Sequence, residues 1–327
     1  MKSRMLTYII AINLVFASLT AWAQKAPVRI GFLSAGAADS LTATAIIAEI
    51  NEGLRDNGMI EGRDYVLELR YAAGNYEQFP DMAREIAQAG VSVILVNTIS
   101  AVRAAQRLTP PLPVVMISIN DPVGTGLVAS LARPGGHTTG MATLNDDLTP
   151  KMLEFQRTIV PKAKVVATLF NPVNPTNPPM LDNLRAQAGA MGMSVLPVVL
   201  RPPEGLAAAF SMLASEQPDA LHLLADSANL DLGDRIAAFA IEHRLPLFAT
   251  WTPIAELGGL LAYGAPRRKL IIRAGYYVKR ILDGVNPGDL AVEQPTEIEL
   301  WINLKTAKAI GIDVPFQLQQ LAHQVIE

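Results

Sequence analysis

Residues 28–58, VRIGFLSAGAADSLTATAIIAEINEGLRDNG, spell out one strand and one helix in succession. The apolar run at 28–33 has the length and β-branched character of a buried strand. Asp39 or Ser40 can then cap a helix whose Ile46, Ile47, Ile50 and Leu54 fall on one face, and Asn57-Gly58 supplies a left-handed stop. The same alternation recurs along the chain. Strand-like runs lie at 65–70, 91–97, 114–119, 165–170, 194–199, 220–224 and 245–250. Between them come helical patterns, with Pro80 near one start and Gly90 past its end, Leu181, Leu184 and Ala188 before Gly192, and Ile236, Phe239 and Ala240 before His243. Strands interleaved with helices imply βαβ units and parallel sheets covered on both faces. At roughly 150 residues per domain, 327 residues make two doubly wound, Rossmann-like α/β lobes.

The boundary between the lobes is expected near 143–150, where Asn145, Asp146 and Asp147 interrupt the pattern. A second change comes late. Gly258-Gly259 leads into an apolar run at 260–263, followed by an amphipathic helix containing Leu270, Ile271, Ala274, Val278 and Ile281 and ending at Gly284. An extended, proline-punctuated stretch at 285–295 precedes a strand-like alternation of Ile298, Leu300 and Ile302. Packing of that helix on the first lobe would make the chain cross between lobes three times, which defines a hinge. The expected limits are 24–144 with 256–292 for the first lobe and 145–255 with 293–327 for the second.

Composition narrows the function. Half the residues are hydrophobic and only 17% are charged, which excludes a disordered chain. There is no cysteine, so thiolate catalysis, iron–sulfur ligation and a lipid-modified N-terminal cysteine are excluded as well. The formal charge is −3 with no basic block, which argues against a nucleic-acid partner. Lys2 and Arg4, an uncharged stretch at 5–23 with its apolar centre at 8–16, and Ala21-Trp22-Ala23 form the three parts of an export signal. Cleavage after Ala23 would place the mature protein in the periplasm.

Catalytic signatures are scarce. Gly124-x-Gly126-x-x-Ala129 superficially fits a dinucleotide fingerprint opening a helix at 127–132, but residues 120–123 separate it from its strand and it follows the fourth strand rather than the first. No P-loop, H-E-x-x-H or nucleophile elbow is present, and His137, His222, His243 and His323 lie far apart. No spacing points to a metal, and no cofactor is expected. The pattern favours binding over catalysis.

In open α/β sheets, ligands sit outside the carboxyl ends of the strands. Those positions hold Ser34, Thr98, Ser100, Asn120 and Asp121 in the first lobe. In the second they hold Asn171, Asp226, Thr250, Trp251 and, ending the late apolar run, Tyr263. Hydroxyls, amides, two carboxylates and two aromatics suit a polar or zwitterionic small molecule with an apolar part. Asp121 and Asn171 each precede a proline and are equally suited to closing a turn.

Residues 121–140, DPVGTGLVASLARPGGHTTG, resemble the DPVGxGLVxSLARPGGNxTG signature of TrpX-like ABC-transporter substrate-binding proteins, with His137 in place of the usual Asn. FNPVNP at 170–175 and ELGGLLAYG at 256–264, with Ala262 where the family has Ser, add to the likeness, as do YVKRILDGVNPGDLAVEQP at 277–295 and INLKTAKAIG at 302–311. The resemblance runs in order over nearly the whole chain after the signal. It implies a type I periplasmic binding fold that closes on a small ligand, such as an amino acid, and delivers it as a monomer to an inner-membrane permease driven by a separate ATPase. A sensing subunit of a membrane signalling complex and an exported α/β enzyme are the alternatives. The export signal speaks against a cytoplasmic repressor with the same core.

Overall fold

A computed structural model describes residues 26–143, 145–202 and 204–327, so the expected export signal lies outside the described residues. The first sheet is built on β1 (Val28–Ser34), joined by β2 (Tyr65–Tyr71), β3 (Val93–Val96), β4 (Val114–Asn120) and β5 (Thr138–Thr143). Its order is β2-β1-β3-β4-β5, with every pair parallel. The helices α1 (Leu41–Asp56), α2 (Phe79–Gln88) and α3 (Ile99–Gln106) make the crossovers. Strand alternation sends Ile30, Phe32, Val93 and Leu95 to one face, against Ile46, Ile50 and Leu54 of α1. Leu33, Ile94, Val96 and Met116 face the other way, onto α2 and α3. Burial on both faces explains why these strands read as near-continuous apolar runs.

The second sheet follows α4 (Asn145–Ile159). Along the chain come β6 (Val165–Phe170), α5 (Asn177–Ala190), β7 (Ser194–Val199), α6 (Leu206–Glu216), β8 (Ala220–Leu223), α7 (Ser227–Leu230), α8 (Gly233–Glu242), β9 (Leu247–Ala249), α9 (Pro253–Glu256) and β10 (Leu261–Gly264). After α10 (Arg267–Leu282) the chain adds β11 (Glu299–Asn303), α11 (Leu304–Ile310), α12 (Phe316–Gln320) and β12 (Gln324–Ile326). The order is β12-β11-β10-β9-β8-β6-β7, with β11 antiparallel to β10.

The segment 256–264, expected with the first lobe, belongs to this second sheet instead, because β10 pairs with both β9 and β11. The chain therefore returns to the first sheet only after Gly264. There α10 packs on α1 backbone to backbone. A Cβ at Gly275 would lie 2.3 Å from the carbonyl carbon of Gly53, and one at Gly53 would lie 2.2 Å from the Ile272 oxygen. No larger residue fits that crossing. Beyond α10, Glu293 N–H donates to Gly140 O at 3.0 Å and Ala142 N–H to Glu293 O at 2.8 Å, so this segment covers the free edge of β5. The polypeptide passes between the sheets from β5 to α4, from β10 to α10, and from Glu293 to β11.

One expected helix is absent. Residues 122–132 run as turns and bends, with Thr125 N–H donating to Asp121 O and Leu127 N–H to Pro122 O, and β5 follows at Thr138. Glycines 124, 126, 135 and 136 favour turns over a continuous helix, three of them with positive φ.

Candidate ligand site between the lobes

The carboxyl ends of both sheets face one another across a cavity of about 910 Å³, its open mouth included. Ile46 of α1, Ile99 of α3, Ile117 and Ile119 of β4, Met180 of α5, Leu230 of α7 and Ile271 of α10 give it an apolar wall. Thr42, Asn97, Thr98, Ser118, Asn120, Thr143, Asn145, Asn174, Thr176 and Ser227 bring amides and hydroxyls. Trp251 supplies the aromatic face.

Local structure explains how several of these are held. Thr98 caps α3, its Oγ1 accepting from Ala101 N–H at 3.2 Å. Asn97 is fixed by donating from Nδ2 to Ser34 Oγ at 3.2 Å. In β4 the register slips between Met116 and Ile119, and Ser118 adopts φ +60. A non-glycine residue in that region is strained, and here the bulge turns Ser118 toward the cavity. Asn120 Oδ1 accepts from Asn145 N–H at 3.0 Å, which ties the end of β4 to the first crossing between lobes.

Asp226 is the most heavily bonded group in the site. It is 2% exposed, and its Oδ1 caps α7 by accepting from Ala228 and Asn229 N–H at 2.8 and 3.1 Å. Its Oδ2 accepts from Asn171 Nδ2 at 3.1 Å, Asn174 Nδ2 at 2.9 Å and Tyr76 Oη at 2.9 Å. Five donors exceed the roughly four lone-pair sites of a carboxylate, so the charge is fully compensated. Tyr76 comes from the other lobe, between β2 and α2. Burial, and then the Asp226 charge, hold its phenol well above the ordinary range, so it remains a donor. A second bond between lobes runs from Ala37 N–H to Asp231 Oδ2 at 2.7 Å. The loops meet closely enough that a Cβ at Gly74 would lie 2.5 Å from the Pro202 oxygen.

At the second crossing, Arg267 opens α10 and lines the cavity. Its Nη2 donates to Glu49 Oε1 at 3.2 Å, while its Nε and Nη1 are buried and have no hydrogen-bond partner among the described residues. Burial lowers the Arg267 pKa and raises that of Glu49, each opposed by the charge of the other.

A family model described as ABC transporter substrate binding protein matches residues 37–326. The chain belongs to this family. Its members are solute-binding proteins and not enzymes. A tyrosine-binding protein of Clostridioides difficile (strain R20291) is 26% identical over 262 residues, which is 80% of this chain and 75% of the relative. Among solved structures, a conserved domain protein from Vibrio cholerae superposes with a TM-score of 0.83 at 22% identity, covering 91% of this chain and 99% of the other. An ABC domain in complex with L-Trp from Streptococcus pneumonia gives 0.82 at 22% identity, covering 92% and 100%. The fold is that of the type I periplasmic binding proteins. No helix among the described residues is long and apolar enough to cross a membrane.

Within this substrate-binding fold, Thr98, Asn120, Asp226, Thr250 and Trp251, all expected from sequence, line the cavity. The other five do not. Ser34 is buried behind the wall, its Oγ accepting from Gly36 N–H. Ser100 is the second residue of α3, in its first turn. Asp121 uses Oδ1 on Gly124 N–H at 2.8 Å, so it closes the turn after β4. Asn171 bonds Asp226 and Val173 N–H from behind. Tyr263 stacks edge-on against Phe155, 5.1 Å between ring centres, on the α4 side of the second sheet. None of the four histidines lines the cavity. Sequence reasoning passed over Ser118, Asn174 and Arg267. Asn174 lay in the quoted FNPVNP motif, whereas nothing in the local pattern marks Arg267 off from its neighbours Arg268 and Lys269.

Proposed function

We propose that this chain is the exported solute-binding component of an ABC importer. Its two lobes close on an amino acid with an apolar or aromatic side chain, or a related compound. The loaded protein then docks as a monomer on an inner-membrane permease powered by a separate ATPase. The observation that carries this reading is the cavity between the carboxyl ends of both sheets, with isoleucines and Trp251 on its walls and bonds between lobes at Tyr76–Asp226 and Ala37–Asp231 beside it. The relatives named for tyrosine binding and for an L-Trp complex support the ligand class. The lobe limits proposed are 24–143 with 265–293, and 145–264 with 294–327.

Calorimetric titration of the purified protein with the twenty amino acids tests this function. We expect micromolar or tighter binding of at least one aromatic or aliphatic amino acid, accompanied by a smaller radius of gyration in X-ray scattering as closure is selected. Failure of every amino acid to bind would refute the ligand class. For the compartment, intact-mass analysis of exported protein should find a chain beginning at Gln24, and a membrane-bound species that keeps residues 1–23 would refute export by cleavage.

A further inference from the structure

Buried guanidinium N–H groups without partners are rare, because each carries the desolvation cost of a charged donor with no bond to offset it. Arg267 has two such nitrogens, Nε and Nη1, and its side chain is 16% exposed. A guanidinium offers two parallel forks, one from Nε and Nη2 and one from Nη1 and Nη2. Glu49 takes a single hydrogen of Nη2 through Oε1, at 3.2 Å, and its Oε2 is buried without a partner among the described residues. Whichever hydrogen that is, the other fork remains complete. Such a fork matches the two oxygens of a carboxylate.

The surroundings agree. Thr250, on the neighbouring wall, also has a buried hydroxyl without a partner among the described residues. The backbone of Thr250 packs on Gly264, three residues before Arg267, where a Cβ would lie 1.8 Å from the Thr250 carbonyl oxygen. The one carboxylate that lines the cavity among the described residues, Asp226, is saturated by its five donors. Glu49 and Glu256 bring negative charge toward Arg267, which opposes the effect of its burial.

We infer that Arg267 is a specificity-determining residue whose open fork receives a carboxylate of the ligand, so that the cavity selects carboxylate-bearing compounds and rejects otherwise matched amines and amides. This inference rests on the reading of the cavity as the ligand site, and it names the group by which the ligand is chosen. It also follows that the carboxylate is held at the second crossing between lobes, where α10 leaves for the first lobe, so binding acts directly on the hinge.

The test uses the full mature protein, calorimetry and thermal shift, and matched probes: the amino acids, their decarboxylated amines, their carboxamides, and apolar carboxylates without an amino group such as 3-phenylpropionate. Every binder should carry a carboxylate. Arg267→Gln should weaken binding about 10- to 150-fold, the worth of a bond to a charged group, with Arg267→Lys in between. Arg267→Gln with Glu49→Gln removes the ion pair as a unit, so the same loss in that folded double variant assigns the effect to the fork and not to an unpaired Glu49. Glu49→Gln alone should keep binding. Binding of carboxylates without any amino acid would overturn the proposed ligand class and support the fork. The inference is overturned if an amine or amide binds as tightly as its parent acid, if no carboxylate binds, if Arg267→Gln retains wild-type affinity, or if Glu49→Gln alone loses as much as Arg267→Gln.

Discussion

Replacing Tyr76 by Phe removes one oxygen atom and one bond between the lobes, from Tyr76 Oη to Asp226 Oδ2 at 2.9 Å. Everything else about the side chain stays. The ring keeps its edge-on contact with Phe79, 5.7 Å between centres, and its place in the core of the first lobe. Asp226 keeps its other four donors, so no buried charge is orphaned. The loss is therefore that of one hydrogen bond to a charged group, about 1.5–3 kcal/mol. Because the bond joins the lobes, it is made only when they are closed, and the ratio of closed to open protein should fall about 10- to 150-fold. Where the ligand-free protein is mostly open, the dissociation constant rises by up to the same factor. Titration calorimetry on Tyr76→Phe measures that rise. Thermal unfolding without ligand checks that the first lobe is intact, and scattering at saturating ligand reads closure. A variant that binds with wild-type affinity and closes to the same radius of gyration would refute the assignment of this bond as a latch.

Three other perturbations have definite outcomes. Gly275→Ala forces a Cβ into the backbone of Gly53 and should cost at least about 1–3 kcal/mol of stability by overpacking; an unchanged melting temperature would show that α1 and α10 can separate freely. His222 is buried beside Gln156, and burial lowers its pKa from 6.5 to about 3. It stays neutral when folded and protonates when unfolded, so its contribution to stability is complete above about pH 6.5 and falls by up to about 1.4 kcal/mol per pH unit below that, down to about pH 3. Urea midpoints across that window should show the slope in the wild type and a flatter one in His222→Gln. Trp251→Ala should weaken ligand binding by about 1–3 kcal/mol if the ring is a contact, and it should abolish the ligand-induced fluorescence change, because Trp301 is tied to Glu299 at 2.9 Å in β11; a surviving signal would shift the assignment to Trp301.

The sequence alone was enough for whatever depends on short-range pattern. Apolar runs flanked by capped, one-sided helices announced β1 through β4 and β6 through β9, because a strand covered on both faces must be apolar throughout and its crossover helix must bury one stripe. It also revealed that cavity-facing residues follow the strands, which is why Thr98, Asn120, Asp226, Thr250 and Trp251 could be named. Pairing across distance escaped it. The strand β5, Thr138–Thr143, carries two threonines and a glycine at its start and is a strand because β4 on one side and Glu293 on the other pair with its backbone. Residues 127–132 have helical spacing, yet glycine-rich turns on either side prevail. Ser34, Asp121 and Asn171 end or follow strands as expected, but each turns its side chain to a neighbouring turn, a choice made by side-chain geometry that no spacing encodes. Arg267 and Tyr76 show the same limit most clearly. One is the first of four arginines in a basic helix and the other opens a short 3-10 turn before α2, and each has a role only because the fold brings Glu49, 218 residues away, and Asp226, 150 residues away, within hydrogen-bonding distance.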